Sequence, residues 1–211
     1  MRLGLKENKH IGIIGGTFNP IHMGHLILAE HAWSEFKLDE ILFIPTGVSY
    51  FKDPSTVASK KDRLNMTSEA IMDNPHFALS TIETDRPGNS YTYETLEMLK
   101  SSHQNYTFYL IVGADTLFQI DQWKNPESIM KNSIILASIR KGQSKEDLEK
   151  RAQELMEKYG ADIRILEFPY IDISSTDIRN RIASGKSVKY MLHDSTLNYI
   201  EKNKLYIIDN E

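Results

Sequence analysis

Two patterns alternate along the chain: short unbroken apolar runs, and longer stretches in which apolar residues recur every three or four positions. Residues 10–14 carry the run Ile11-Gly12-Ile13-Ile14, the pattern of a strand buried on both faces of a parallel sheet. Ile21, Leu26, Ile27, Ala29, Ala32, Trp33 and Phe36 then fall at helical spacing and predict a helix from His22 to Phe36. Glu40–Pro45 reads as a second strand, closed by Pro45 and the turn Thr46-Gly47, which completes a β-α-β unit. Residues 46–58 read as a loop exposing Tyr50 and Phe51 beside Lys52, a composition that suits either a ligand lid or a packed surface loop. A helix follows over 59–72 on Leu64, Met66, Ala70 and Ile71; Asn74-Pro75 ends it, and Phe77-Ala78-Leu79 is a brief strand. After the turn cluster at 86–90 comes a helix from Thr92, with Leu96 and Leu99 inward, and then a strand over 105–112. A helix or turn carries Trp123 and Lys124, and a strand over 133–139 is closed by Arg140-Lys141-Gly142. An amphipathic helix over 144–158, a strand over 163–166, a helix opened by Ser174 and a terminal helix over 194–203 complete the order. This alternation predicts an α/β fold: a doubly wound, mainly parallel, Rossmann-like sheet with helices on both faces. It forms a single domain over 1–211, whose helical C-terminal part begins near 174.

The candidate chemistry sits where strands give way to helices. Gly15 and Gly16 lack a Cβ, so backbone N–H groups there can come close to a bulky anion. Pro20, with its preset φ, suits the start of a helix that would hold His22 and His25 on one face near its positive end. Gly24 between them leaves a hole for a planar base or a phosphate. Gly113 and Asp115 stand at the carboxyl end of a predicted parallel strand, where open α/β sheets bind ligands. Ser174-x-x-Asp177 is a capping-box-like pattern, with Ile178 and Ile182 facing inward. Ser174, Ser175, Thr176 and the free N–H groups of that helix start can bind phosphate, and Arg179 can add a charge-assisted contact. Each feature alone is also read blandly, as a turn, a surface histidine pair or a well-capped helix.

Composition narrows the classes. The net charge is −4, from 25 basic and 29 acidic residues without a basic stripe, so no nucleic-acid partner is expected. Local cations and helix ends can still bind phosphates. The absence of cysteine excludes disulfides, thiolate chemistry and a cysteine zinc site. Residues 1–9 have no apolar core of a signal peptide, and no stretch approaches a membrane span, so a cytoplasmic protein with no membrane partner is expected.

The unbroken string Gly-Gly-Thr-Phe-Asn-Pro-x-His-x-Gly-His at 15–25 resembles the signature of the nucleotidyltransferase superfamily. Together with Ile-Ser-Ser-Thr-x-Ile-Arg at 173–179, nearly the whole chain is similar to the bacterial nicotinate-nucleotide adenylyltransferase family. The resemblance implies transfer of the adenylyl group of ATP to nicotinate mononucleotide, giving deamido-NAD and pyrophosphate in NAD biosynthesis. It further implies that His22, His25, Lys52 and Arg179 are catalytic, with His22 and His25 on the ATP phosphates. Gly15, Gly16, Thr17, Phe18 and Gly24 would line the nucleotide path, Ser174, Ser175 and Thr176 the outer phosphates, and Gly113 and Asp115 the ribose, with Arg140 in the same ATP-binding set. Trp123 would stack on the pyridine ring, and Ser90, Tyr91 and Thr92 would lie near its carboxylate. Mg²⁺ would arrive with ATP and have no dedicated protein metal site, and homodimers are common in the family. Two positions depart from the pattern: Ser49-Tyr50-Phe51-Lys52 replaces a Pro-Pro-His-Lys lid, and Lys124 stands where relatives often carry a second aromatic. Other readings stay open: an adenylyltransferase for nicotinamide mononucleotide or pantetheine phosphate, or a non-catalytic nucleotide sensor. The dehydrogenase pattern G-x-G-x-x-G is absent. A class I aminoacyl-tRNA synthetase would need a longer chain and a later Lys-Met-Ser-Lys-Ser string.

Overall fold

The computed structural model describes residues 8–48, 57–139, 144–169 and 171–207. Among them the elements run β1 (His10–Gly16), α1 (Met23–Phe36), β2 (Glu40–Pro45), α2 (Lys60–Ile71), β3 (Phe77–Leu79), α3 (Thr92–Ser102) and β4 (Thr107–Gly113). They continue with α4 (Ala114–Gln119), a 3₁₀ turn (Ile120–Gln122), α5 (Pro126–Asn132), β5 (Ile134–Ser138), α6 (Lys145–Tyr159), β6 (Ile163–Leu166), α7 (Ser175–Ala183) and α8 (Asp194–Lys202). The strands form one parallel sheet in the order β3-β2-β1-β4-β5-β6. This is the doubly wound order, with its reversal between β1 and β4. The expected fold class holds.

The chain divides into two compact units. One contains Met1–Ile14, His31–Leu42 and Tyr91–Tyr170. Here β1 pairs β4 from His10↔Thr107 to Ile13↔Leu110, β4 pairs β5 from Tyr109↔Ile134 to Gly113↔Ser138, and β5 pairs β6 from Ile135↔Ile163 to Ser138↔Leu166. Ile135, Leu136 and Ala137 are fully buried in strand β5, between β4 and β6, and α6 adds Leu148, Ala152 and Leu155 to the core. Gly12 is a packing requirement, because a Cβ there would stand 2.4 Å from Ile41 Cδ1. α6 opens on Ser144, whose Oγ accepts the Asp147 N–H, and closes on Gly160 at φ 65°. The pattern of apolar positions did not anticipate α5, which is short. Its signal is the pair Asn125-Pro126: Asn125 sits at φ 50°, its side chain accepts the Ser128 N–H, and Pro126 opens the helix.

The other unit contains Gly15–Glu30, Phe43–Ser90 and Ile171–Glu211. Its core is built from Phe18, Ile21, Phe43, Ile44, Met66, Ile178 and Ile200. α2 and α8 are joined by hydroxyls: Ser195 Oγ donates to the Glu69 carbonyl at 2.6 Å and Thr196 Oγ1 to the Met66 carbonyl at 3.3 Å. The buried face of α2 is Arg63, Met66, Thr67, Ala70 and Ile71. Leu64, expected inside, is only half-buried, as is Ile182 on α7, whereas Ile178 is fully buried. Among the described residues no helix is long and apolar enough to cross a membrane.

Candidate active site

The glycine turn leaves β1 at Gly15–Gly16, and the Gly16 carbonyl accepts the Thr46 N–H at 2.9 Å. A Cβ on Gly15 would meet only one atom within 4 Å, the Ile44 carbonyl oxygen at 4.0 Å. Among the described residues, packing therefore does not demand glycine here. Phe18 holds φ 46°, a left-handed conformation that a bulky side chain rarely adopts. Its ring is buried and lies edge-on to His25 at 5.1 Å. Asn19 is 1% exposed and is joined to Pro20 by a cis peptide bond. α1 begins at Met23, so Pro20 stands outside it rather than opening it, which corrects the expectation from sequence.

His22 lies just before α1 and His25 in its first turn, with the two rings stacked at 3.7 Å between centroids. The His22 backbone N–H donates to His25 Nδ1 at 3.2 Å, so neutral His25 carries its proton on Nε2 and is a donor there. Gly24 has a different use from the expected hole. A Cβ there would come within 3.1 Å of His22 Nδ1 and Cε1, so the space over Gly24 is filled by the His22 ring. A side chain at 24 would ask the His22 ring to give by a few tenths of an ångström.

The start of α7 reaches the same turn. Ser174 caps the helix, its Oγ accepting the Asp177 N–H at 3.1 Å. Ser175 Oγ donates to the Pro20 carbonyl at 2.8 Å, and Arg179 Nη1 donates to the Asn19 carbonyl at 2.9 Å. This modifies the expectation for both side chains. The single hydroxyl proton of Ser175 is committed to the chain, as is one nitrogen of the Arg179 fork, with a second Arg179 nitrogen 3.4 Å from Thr176 Oγ1. In the first turn of α7 the Asp177 N–H is taken by Ser174 Oγ, whereas the N–H groups of Ser175 and Thr176 lack intrahelical acceptors by geometry, the arrangement of a helix start that suits an anion.

Three residues of this unit were missed from sequence. Arg63 is 2% exposed and donates to three carbonyls: Thr17 at 2.9 Å, Gly47 at 3.0 Å and Ala58 at 3.2 Å. Burial pulls its pKa below the usual guanidinium value, yet arginine stays protonated. Asn19 Oδ1 accepts both the Ala58 N–H at 3.0 Å and the Tyr206 hydroxyl at 2.8 Å. Burial pushes the Tyr206 phenol above its usual range, which keeps it a donor. The legible signal was the row 63, 66, 67 and 70, which places Arg63 on the buried face of α2. Ser90 belongs here too, its Oγ accepting the Gly47 N–H at 3.1 Å.

The remaining candidates lie in the other unit. Gly113 ends β4, and Asp115 is exposed in the first turn of α4. Tyr91 is the N-cap of α3 and Thr92 its first residue. Half-buried Trp123 follows the 3₁₀ turn. Lys124 Nζ stands 4.1 Å from the Tyr91 ring centroid and 5.8 Å from that of Tyr93. The departure from the family pattern thus puts a cation on an aromatic face beside Trp123. A cavity of 590 Å³ lined by Lys100, Phe108, Lys131 and Lys158, among others, includes none of the candidate residues. Lys52 and Arg140 fall outside the described residues. Among those described, no group of three or more His, Cys, Asp or Glu could hold a metal ion.

A cytidylyltransferase-like family model matches residues 13–181. A probable nicotinate-nucleotide adenylyltransferase of Thermoanaerobacter sp. is 40% identical over 208 residues, covering 98% of this chain and 99% of the relative. One from Lachnoclostridium phytofermentans is 39% identical over 199 residues, covering 94% and 100%. The chain belongs to the nicotinate-nucleotide adenylyltransferase family. Its fold is shared with the solved Plasmodium falciparum nicotinic acid mononucleotide adenylyltransferase complexed with NaAD, at a TM-score of 0.79 and 23% identity over 94% of this chain and 98% of that one. The glycine turn, the histidine pair and the start of α7 are the parts of this family member that one unit gathers around residues 15–25.

Proposed function

We propose that this enzyme transfers the adenylyl group of ATP to nicotinate mononucleotide, a step of NAD biosynthesis. The observation that carries the reading is the convergence on one turn of two stacked histidines and a capped helix start, tied to it through Ser175 and Arg179. The 5′-phosphate of the mononucleotide is already an anionic nucleophile at neutral pH, so no general base is needed. Its oxygen bonds to the α-phosphorus of ATP as the bond from that phosphorus to the bridging oxygen breaks, and pyrophosphate leaves. What the protein supplies is alignment and positive potential where negative charge grows. His25 donates from Nε2; His22, Arg179 and the N–H groups of Ser175 and Thr176 at the start of α7 act on the phosphates; Gly15 leaves room for them, while the Phe18 ring lies over Gly16.

Imidazoles, hydroxyls and N–H groups suit phosphate oxygens better than a hard cation, which prefers oxygen ligands. Mg²⁺ therefore fits as a companion of ATP, where it neutralises the triphosphate. By resemblance to the family, Gly113 and Asp115 are assigned to the ribose, and Trp123, Tyr91 and Thr92 to the pyridine ring. Lys124 favours an acid over an amide on that ring through its charge.

The test is pyrophosphate release with ATP and Mg²⁺, comparing nicotinate mononucleotide, nicotinamide mononucleotide and phosphopantetheine. Preference for the acid is expected. Equal use of the two mononucleotides would remove the role given to Lys124, and release with phosphopantetheine alone would move the activity to another acceptor. ATP binding without release from any of them would leave a nucleotide sensor. Light scattering on the purified chain reads the homodimer, and fractionation of the cells that make it reads the cytoplasmic location.

A further inference from the structure

The proposed chemistry leaves Arg63 and Tyr206 without a part, although both are engaged around the turn. Arg63 holds the carbonyls of Thr17, Gly47 and Ala58 in one planar fork. Tyr206 donates to Asn19 Oδ1, the same atom that accepts the Ala58 N–H. Ala58 is thus gripped at both its backbone groups, by Arg63 through its carbonyl and by Asn19 through its N–H. Between the two held residues, Thr17 and Asn19, lies Phe18 at φ 46°. A bulky residue stays in that region only when its surroundings over-determine it. Its ring, edge-on to His25, is in turn part of the wall that fixes the catalytic imidazole.

We infer that Arg63 and Tyr206 are positioning residues for the phosphate turn: they hold Thr17 and Asn19 from outside the ligand site, and so keep Phe18, His25 and the glycine backbone in the geometry that ATP meets. The inference rests on reading residues 15–25 as the ATP-phosphate turn. Lysine cannot replace Arg63, because a single ammonium does not reproduce a planar fork to three acceptors. Tyr206 acts through one hydroxyl, so its removal is a small and clean change.

The experiment uses the full chain with two variants, Tyr206→Phe and Arg63→Lys. It measures ATP·Mg²⁺ affinity by titration calorimetry, kcat and KM for each substrate, and thermal midpoint. Tyr206→Phe is expected to lower kcat/KM for ATP about tenfold, the scale of one hydrogen bond. KM for the mononucleotide should stay as in wild type and the midpoint should move little. For Arg63→Lys the expected loss is about 10²-fold, the scale of an ångström-level misplacement. Variants that melt earlier but retain wild-type kcat and KM in the folded state would overturn the inference, leaving these contacts as stabilising only. If the wild type binds ATP but transfers nothing, the adenylyl-transfer reading fails by itself, and ATP affinity still decides: weakened in the variants, the positioning role stands; unchanged, it falls. A wild type that binds no ATP overturns both.

Discussion

The two units bury different kinds of polar side chain. Among the described residues, those that are polar and buried in the unit built on β4, β5 and β6 are Thr95, Ser133 and Ser138. Each is a small hydroxyl bonded to a backbone carbonyl: Thr95 to Tyr91, Ser133 to Ile129 and Ser138 to Val112. In the other they are Asn19, His22, Arg63, Thr67, Glu83 and Thr196. An amide, an imidazole, a guanidinium and a carboxylate are far more costly to take out of water than a hydroxyl, and are kept inside only where partners are built for them. The first unit is a packed apolar core that tolerates its polar groups. The second is organised around a polar turn, and its core residues surround that turn.

This contrast is open to breaking. Leu136→Ala in the first unit should lower the free energy of unfolding by about 2–5 kcal/mol in urea titrations while leaving kcat and KM of the folded enzyme unchanged. An equal loss of turnover would mean that this apolar core does more than hold the first unit together. In the second unit the balance reverses. His25→Ala should lower kcat about 10²–10³-fold in steady-state assays, with the urea midpoint close to wild type.

Smaller effects sharpen the same division. Ser174→Ala removes the cap of α7 and should lower stability by about 0.5–2 kcal/mol, read by thermal or urea denaturation. It should also raise KM for ATP, since the frayed first turn is the element proposed to bind the phosphates. The least effect belongs to the first unit, where Arg151 Nη2 lies 2.6 Å from Asp121 Oδ1. The hydrogen bond from Arg151 holds the Asp121 carboxyl below its ordinary value of 3.8. A depressed carboxyl contributes stability that is present above 3.8 and lost as pH falls through the lower folded value. The stability gap between wild type and Asp121→Asn should therefore be full near neutrality and close in acid, measured by urea unfolding across pH. Activity at neutral pH should not follow it.

Much of this architecture was legible because it is local. A strand buried on both faces needs an unbroken apolar run, and β1 and β5 show one. An amphipathic helix needs a period, and α6 shows one between Ser144 and Gly160. The string at 15–25 was legible for the same reason, since its glycines and histidines are contiguous in sequence. What escaped notice depends on distant parts of the chain. Arg63 shares the buried row of α2, but the carbonyls of Thr17 and Gly47 that it meets are set apart from it in sequence, as Asn19 is from Tyr206. Gly24 was misjudged for a related reason. Its neighbour His22 fills the space above it, and no spacing rule says which way that ring folds back.

The partners of the turn also have an order in time. Tyr206 meets Asn19 across 187 positions, Arg179 meets Asn19 across 160, and Ser175 meets Pro20 across 155. At synthesis rates of about 5–20 residues per second, roughly 10–40 s separate the making of Asn19 from the making of the tyrosine that grips it. The turn is thus made well before the parts that complete it. A nascent chain carries the glycines and both histidines long before it carries the contacts that hold them in place.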